Sequence, residues 1–153
     1  YLQGGDKAAR QPWRSACALL WQQGMKHQFS DIDSNSLSLS FQAWQKKINT
    51  IQCSSMGRVF DAASALLNLG DSSSFEGQGP MQLEALLDSI KDKSSDNTPL
   101  PLYHKQSLIL ADWSELLSLL LDNTQSVAQR SLSFHITIGE TLIAQAQQLR
   151  AIK

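Results

Sequence analysis

Arg58 and Asp61 are the residues whose types and spacing in this sequence can do chemistry. They follow Ser54-Ser55-Met56-Gly57 and lead into an apolar run. Small residues and a glycine at the start of a helix leave backbone N–H groups free to meet an anion. A cation in that first turn works against the helix dipole, so Arg58 needs a partner. Asp61 lies three residues beyond Arg58 and four beyond Gly57, on the helix face they share. A carboxylate facing such an opening can accept both hydroxyls of a ribose. The same two residues also read as an ordinary surface ion pair, worth under about 1 kcal/mol. A second segment, Phe75-Glu76-Gly77-Gln78-Gly79-Pro80, sits just before another helical pattern. Its glycines let backbone come close to a flat ligand such as a base. It reads equally well as an inter-helix turn.

Other chemistry is sparse. His27, His104 and His135 stand far apart, without the paired spacing of helical metal ligands. Cys17 and Cys53 are too few for a disulfide framework or a four-thiolate zinc site and read as reduced thiols. There is no nucleophile elbow and no P-loop. The pair Gly4-Gly5 before Asp6 signals a tight turn.

Composition removes whole classes of function. The chain has 153 residues, 42% hydrophobic and 18% charged, enough for one domain with a core. A formal net charge of -1 argues against a nucleic-acid binder working by charge and against a polybasic membrane-surface protein. The longest apolar patch, Leu116 to Leu121, is broken by Ser118 and falls far short of the ~20 residues of a spanning helix. With Asp6, Lys7, Arg10 and Arg14 and no sustained apolar stretch, the first twenty residues are not expected to be a signal peptide. The first residue is Tyr1 rather than Met, and the expectation is a piece of a longer, cytoplasmic protein.

The elements that must position these residues are helices. Trp13, Ala16, Cys17, Leu20 and Trp21 share one helical face, with Pro12 in its first turn and Gly24 at its end. After a polar loop over 25–36, Leu37, Phe41, Trp44 and Ile48 space out a second helix. A third starts at Ser54 or Ser55, carries Met56, Val59, Phe60, Ala63, Leu66 and Leu67, and stops at Gly70. Pro80 opens a fourth, with Leu83, Leu86, Leu87 and Ile90. Residues 91–101 read as a loop and 106–111 as a short strand. Asp112-Trp113-Ser114-Glu115 has capping-box layout and starts a fifth helix. The sixth covers about 125–150, with a buried stripe of Val127, Phe134, Ile138, Leu142, Ala146 and Leu149. The fold class is mainly α, a bundle of about six helices with at most one or two short strands.

The run Ser54 to Leu67, then Phe75-Glu76-Gly77-Gln78, then Leu83-Glu84-Ala85-Leu86, resembles the HypF family of carbamoyltransferases, which act in [NiFe]-hydrogenase maturation. The opening Gly4-Gly5-Asp6-Lys7-Ala8-Ala9-Arg10-Gln11-Pro12-Trp13-Arg14 resembles the same family, as do Asp112-Trp113, Leu116-Leu117 and Phe134-His135. The likeness covers nearly the whole chain in one order. It implies that residues 1–153 form a single helical fragment of the C-terminal transferase domain, which has an actin/sugar-kinase-like α/β fold. The family makes carbamoyl-adenylate from carbamoyl phosphate and ATP, and passes the carbamoyl group to the C-terminal cysteine of a partner, HypE.

Carried over by resemblance, Asp61 binds the ribose hydroxyls, and Gly77 with Gln78 lines the nucleoside. Gly57 and Arg58, with the Ser54-Ser55 turn, are our own addition as a face for a phosphate. The family turn continues Glu-Gly-Gln-Ala, whereas here Gly79-Pro80 follows Gln78. The family's metal-binding histidine pair is expected before this segment and a glycine-rich nucleotide loop after it. The resemblance therefore implies ATP and a metal ion for the parent protein, and no ligand, metal or transfer activity for residues 1–153 alone. Two other readings stay open: a relative acting on a hydroxyl, and a non-catalytic helical interaction module.

Overall fold

Helical periodicity becomes helix wherever a tertiary neighbour covers the apolar face. The computed structural model describes residues 1–27, 29–70, 72–91 and 97–151. Asp71 of the serine-rich loop, 92–96 of the loop expected over 91–101, and the last two residues lie outside the described residues. The chain forms two compact units, Tyr1–Ala85 and Leu86–Lys153.

In the first unit β1 (Leu2–Gln3) is followed by α1 (Lys7–Arg10), α2 (Pro12–Gln22), α3 (Ser34–Gln45), β2 (Thr50–Ile51), α4 (Met56–Leu66) and α5 (Gln78–Ala85). β1 and β2 pair antiparallel, Leu2 opposite Ile51. Its centre is α2 lying against α4. Small side chains face each other there: Ala16, Cys17, Ala62, Ala63 and Ala65 are all fully buried. Short side chains let two helix axes approach closely. α5 then lies against α4 and buries Leu83.

The second unit starts with a 3-10 turn, Leu86–Ser89, then the hairpin β3 (Leu102–Lys105) and β4 (Leu108–Ala111), α6 (Ser114–Leu121) and α7 (Val127–Ala151). Leu116, Leu117, Leu120 and Phe134 are its most buried large side chains. Arg130, also buried, donates from Nη1 to the carbonyl of Leu120 at 2.8 Å and to Asn123 Oδ1 at 3.3 Å. It thereby satisfies a carbonyl at the end of α6 that has no partner within the helix.

The helical class stands, and the differences are local. α3 begins at Ser34 because Asp33 caps it, accepting the Ser36 N–H at 2.8 Å. It ends at Gln45, before Ile48, where Lys47 and Asn49 take positive φ and the chain turns into β2. α4 stops at Leu66 rather than at Gly70, because Asn68 already adopts the left-handed conformation (φ 56°). α5 opens two residues before Pro80, whose missing N–H is harmless in a first turn. The strand expected over 106–111 is one arm of a hairpin that turns at Gln106 (φ 56°). Asp112 holds the Ser114 N–H at 3.0 Å, but Trp113 occupies the cap position, so no capping box forms there.

α7 departs most. Phe134 and Ile138 are buried as expected, but Leu142 and Leu149 are about half exposed and Ala146 is exposed. The buried face runs instead through Ser131, Thr137 and Thr141. Thr141 repays this placement by accepting the Leu100 N–H at 2.9 Å while donating to the carbonyl of Thr137. No described helix is long and apolar enough to cross a membrane.

Both cysteines are free thiols, and their surroundings set their reactivity. Cys17 is buried, and desolvation pushes its thiol up to about 12, while Cys53 is exposed. Iodoacetamide at neutral pH is expected to label one thiol per chain, Cys53, and the second only after unfolding. Equal labelling of both in the native protein, read by mass spectrometry, contradicts this packing.

Candidate functional site

α4 sinks into the core along its length. Met56 to Phe60 are partly accessible, whereas every residue from Asp61 to Leu67 is buried. Asp61 stands at that boundary with only 4% of its surface exposed. The face that carries it is polar in sequence, and α5 covers it.

The Arg58–Asp61 pair forms, with Nη1 2.8 Å from Oδ2. It is not a surface pair: the carboxyl side chain is 5% exposed against 20% for the guanidinium. The approach meets ion-pair distance but not hydrogen-bond geometry, and Oδ2 accepts no hydrogen bond from the described residues. Arg58 also reaches the carbonyl of Ala8 at 3.5 Å, a long contact. Burial raises the Asp61 pKa above the usual carboxylate value; Arg58 opposes this and the nearby Glu76 adds to it. Desolvation wins, so the ionised form is held at a cost. A buried carboxyl with an unmet acceptor oxygen is what a hydroxyl-bearing ligand would complete.

The glycine turn comes to the same place, by way of a residue the sequence reading passed over. Gly77 has φ +85°, a conformation that favours glycine, with open space where a side chain would be. Gln78 opens α5 and its Oε1 accepts the Ser74 N–H at 2.7 Å, closing the loop over 74–78. The closest approach belongs to Gly79. A Cβ there would collide with Ser64 Oγ, meet Ser64 Cβ at 3.0 Å and lie 3.9 Å from Asp61 Oδ1. Ser64 is itself fixed, donating to the carbonyl of Asp61 at 2.8 Å. Small residues at 64 and 79 are the signal that could have found this contact, since only they let α5 reach α4 so closely.

Gly57 sits exposed in the first turn of α4, and a side chain there would meet only Ser55 Oγ at 3.6 Å. Ser55 occupies the cap position but makes no side-chain cap bond. The structure thus brings together Asp61, Arg58, Gly79 and the Gly77-Gln78 turn, with Gly57 one turn before Asp61 on the open end of α4. Among the described residues no three of His, Cys, Asp and Glu lie where they could hold a metal ion.

Comparison with known proteins gives the chain's family. The family model described as carbamoyltransferase, Kae1-like domain, second subdomain, matches residues 1–153. Carbamoyltransferase HypF2 of Cupriavidus necator is 35% identical over 105 residues, covering 67% of this chain and 13% of that protein. Carbamoyltransferase HypF of Synechocystis sp. is 28% identical over a 170-residue alignment, covering 97% of this chain and 22% of its own length. The crystal structure of full-length HypF in its phosphate- and nucleotide-bound form superposes with a TM-score of 0.79 at 24% identity, over 99% of this chain and 20% of that one. The likeness to that structure shows a shared fold. The chain thus spans about a fifth or less of these three proteins. With the family model matched from end to end, the chain belongs to the carbamoyltransferase Kae1-like domain family, as its second subdomain.

Proposed function

We propose that residues 1–153 act as one part of a carbamoyltransferase that moves a carbamoyl group from carbamoyl-adenylate to the C-terminal cysteine thiol of a HypE-like acceptor, in the cytoplasm, during [NiFe]-hydrogenase maturation. Carbamoyl phosphate and ATP would be the parent protein's substrates. The observation that carries this reading is the buried Asp61 carboxyl, with Oδ2 unmet, packed beside the Gly77–Gly79 turn. In this role Asp61 accepts the ribose hydroxyls, Gly77 and Gln78 line the nucleoside, and Arg58 at the Gly57 turn faces a phosphate.

The chemistry asked of these residues is positioning. The acceptor sulfur forms a bond to the carbamoyl carbon, the bond from that carbon to the adenylate phosphate oxygen breaks, and AMP leaves with the electron pair. Holding the adenylate still for that attack can lower the barrier by several kcal/mol, up to roughly 7–11. A metal ion would be held by residues of the parent outside this chain.

Two measurements test the reading. The intact enzyme, given ATP and labelled carbamoyl phosphate, should label a peptide ending in cysteine and leave a small alcohol unlabelled. Label on the alcohol alone would assign the chain to a hydroxyl-directed relative. Calorimetry of residues 1–153 alone with ATP should show no micromolar binding, because the opposite wall of the cleft comes from other segments. A micromolar dissociation constant would mean the site is complete within this chain.

A further inference from the structure

Arg14 on α2 is a half-buried cation held entirely by neutral groups. Its Nε donates to Gln11 Oε1 at 2.6 Å, and its Nη1 donates to Gln3 Oε1 at 2.6 Å and to Ser40 Oγ at 3.1 Å. Its guanidinium carbon lies 4.3 Å from the centroid of the Trp13 ring. Gly4 makes room for it: a Cβ there would come within 2.8 Å of Arg14 Cδ, and φ is +118°. No carboxylate of the described residues lies within ion-pair distance of Arg14, and its Nη2 makes no hydrogen bond to them. Burial lowers its pKa, and the thiol of Cys17, the titratable group that acts on it, stays protonated to about 12. A fixed, partly desolvated charge without a counter-charge costs free energy that an anion would recover.

That guanidinium lines an open cavity of about 550 Å³, together with Gln3, Gly4, Gly5, Asp6, Lys7 and Asn49. The wall carries two cations, Lys7 and Arg14, against one acid, Asp6. The volume falls in the usual range for small-molecule sites and exceeds what a bare ion needs. The two N–H groups on Nη2 can donate to an oxyanion, and a lysine beside them adds a point charge.

We propose that this cavity binds the carboxylate or phosphate group of a small molecule, seated on Arg14 with Lys7 as the second cation. The cavity adjoins the Asp61 site, since α1 presents Lys7 to the cavity and the carbonyl of Ala8 to Arg58. The proposal stands on Arg14 and its surroundings, independently of any role for Asp61.

The test is a titration of the protein with inorganic phosphate and, separately, with acetate, following the Arg14 Nε–H signal by NMR. A saturable shift is expected with at least one of them, and which one is tighter identifies the group. Arg14→Gln should weaken binding, measured by calorimetry, about tenfold or more. Arg14→Lys, which keeps charge and loses the Nη2 donors, should fall between. Lys7→Gln should weaken it about two- to fourfold. Lys7 is exposed, so this variant decides the matter if Arg14→Gln fails to fold. Lys105→Gln, at an exposed cation outside the cavity, should leave binding unchanged. Absence of a saturable shift with either anion overturns the proposal. So does binding that is indifferent to both the Arg14 and Lys7 variants.

Discussion

Asp61→Ala in the intact carbamoyltransferase is expected to lower carbamoyl transfer about 10- to 100-fold, with a raised KM for ATP. The magnitude is that of losing hydrogen bonds to a charged group, about 1.5–3 kcal/mol. Asp61→Asn keeps the volume and separates binding from packing. Its effect on stability should run the other way. Burial raises the Asp61 pKa in the folded state above its ordinary 3.8. A group shifted in that direction contributes stability below its unfolded pKa, and the contribution is lost as pH rises through the folded one. The wild-type protein should therefore lose part of its stability as pH climbs from about that 3.8 toward neutrality. Asp61→Asn should lack that decline and be the more stable protein at pH 7. Unchanged transfer kinetics in the alanine variant would remove Asp61 from the site. A pH–stability profile identical in wild type and Asp61→Asn would mean the carboxyl is not desolvated.

Gly79→Ala should destabilise the first unit by about 1–3 kcal/mol, the usual cost of an extra methyl in a filled core. Alanine gains up to about 1 kcal/mol over glycine in a helix interior, and less in the first turn where Gly79 lies. Overpacking wins because Ser64 has nowhere to go. It is 1% exposed, its hydroxyl is tied to the Asp61 carbonyl, and its Cβ would still stand 3.0 Å from the new methyl if the hydroxyl rotated. Ser64→Gly should rescue part of the loss, giving a coupling of about 1 kcal/mol in a double-mutant cycle. Urea denaturation of the four proteins measures it. Full stability in Gly79→Ala would mean that α4 and α5 stand further apart than the structure has them. Because the same methyl would lie 3.9 Å from Asp61 Oδ1, the variant should weaken nucleotide use as well as folding.

These two expectations share one cause. The glycine turn and the carboxyl come together only because α5 crosses α4 at two small residues. Asp61 tolerates burial because Arg58 offsets part of its desolvation, and the remainder raises its pKa. In the proposed role the arrangement would trade stability for binding.

The amino-acid order alone determined the helices and their handedness of exposure wherever the rule is local. Trp13 to Trp21 share a face because 3.6 residues make a turn, Gly24 ends that helix at φ 67°, and Arg58 meets Asp61 because residues three apart are neighbours on any helix. Tertiary structure decided what covers each face. Periodicity marks Asp61 as belonging to a polar stripe but cannot say that α5 will lie across it, and it assigns Leu142, Ala146 and Leu149 to a buried stripe that the second unit fills with Thr137 and Thr141 instead. Gly79 rather than Gly77 makes the closest contact for the same reason: helical spacing is set by bonds along the chain, whereas burial is set by whichever distant residues arrive.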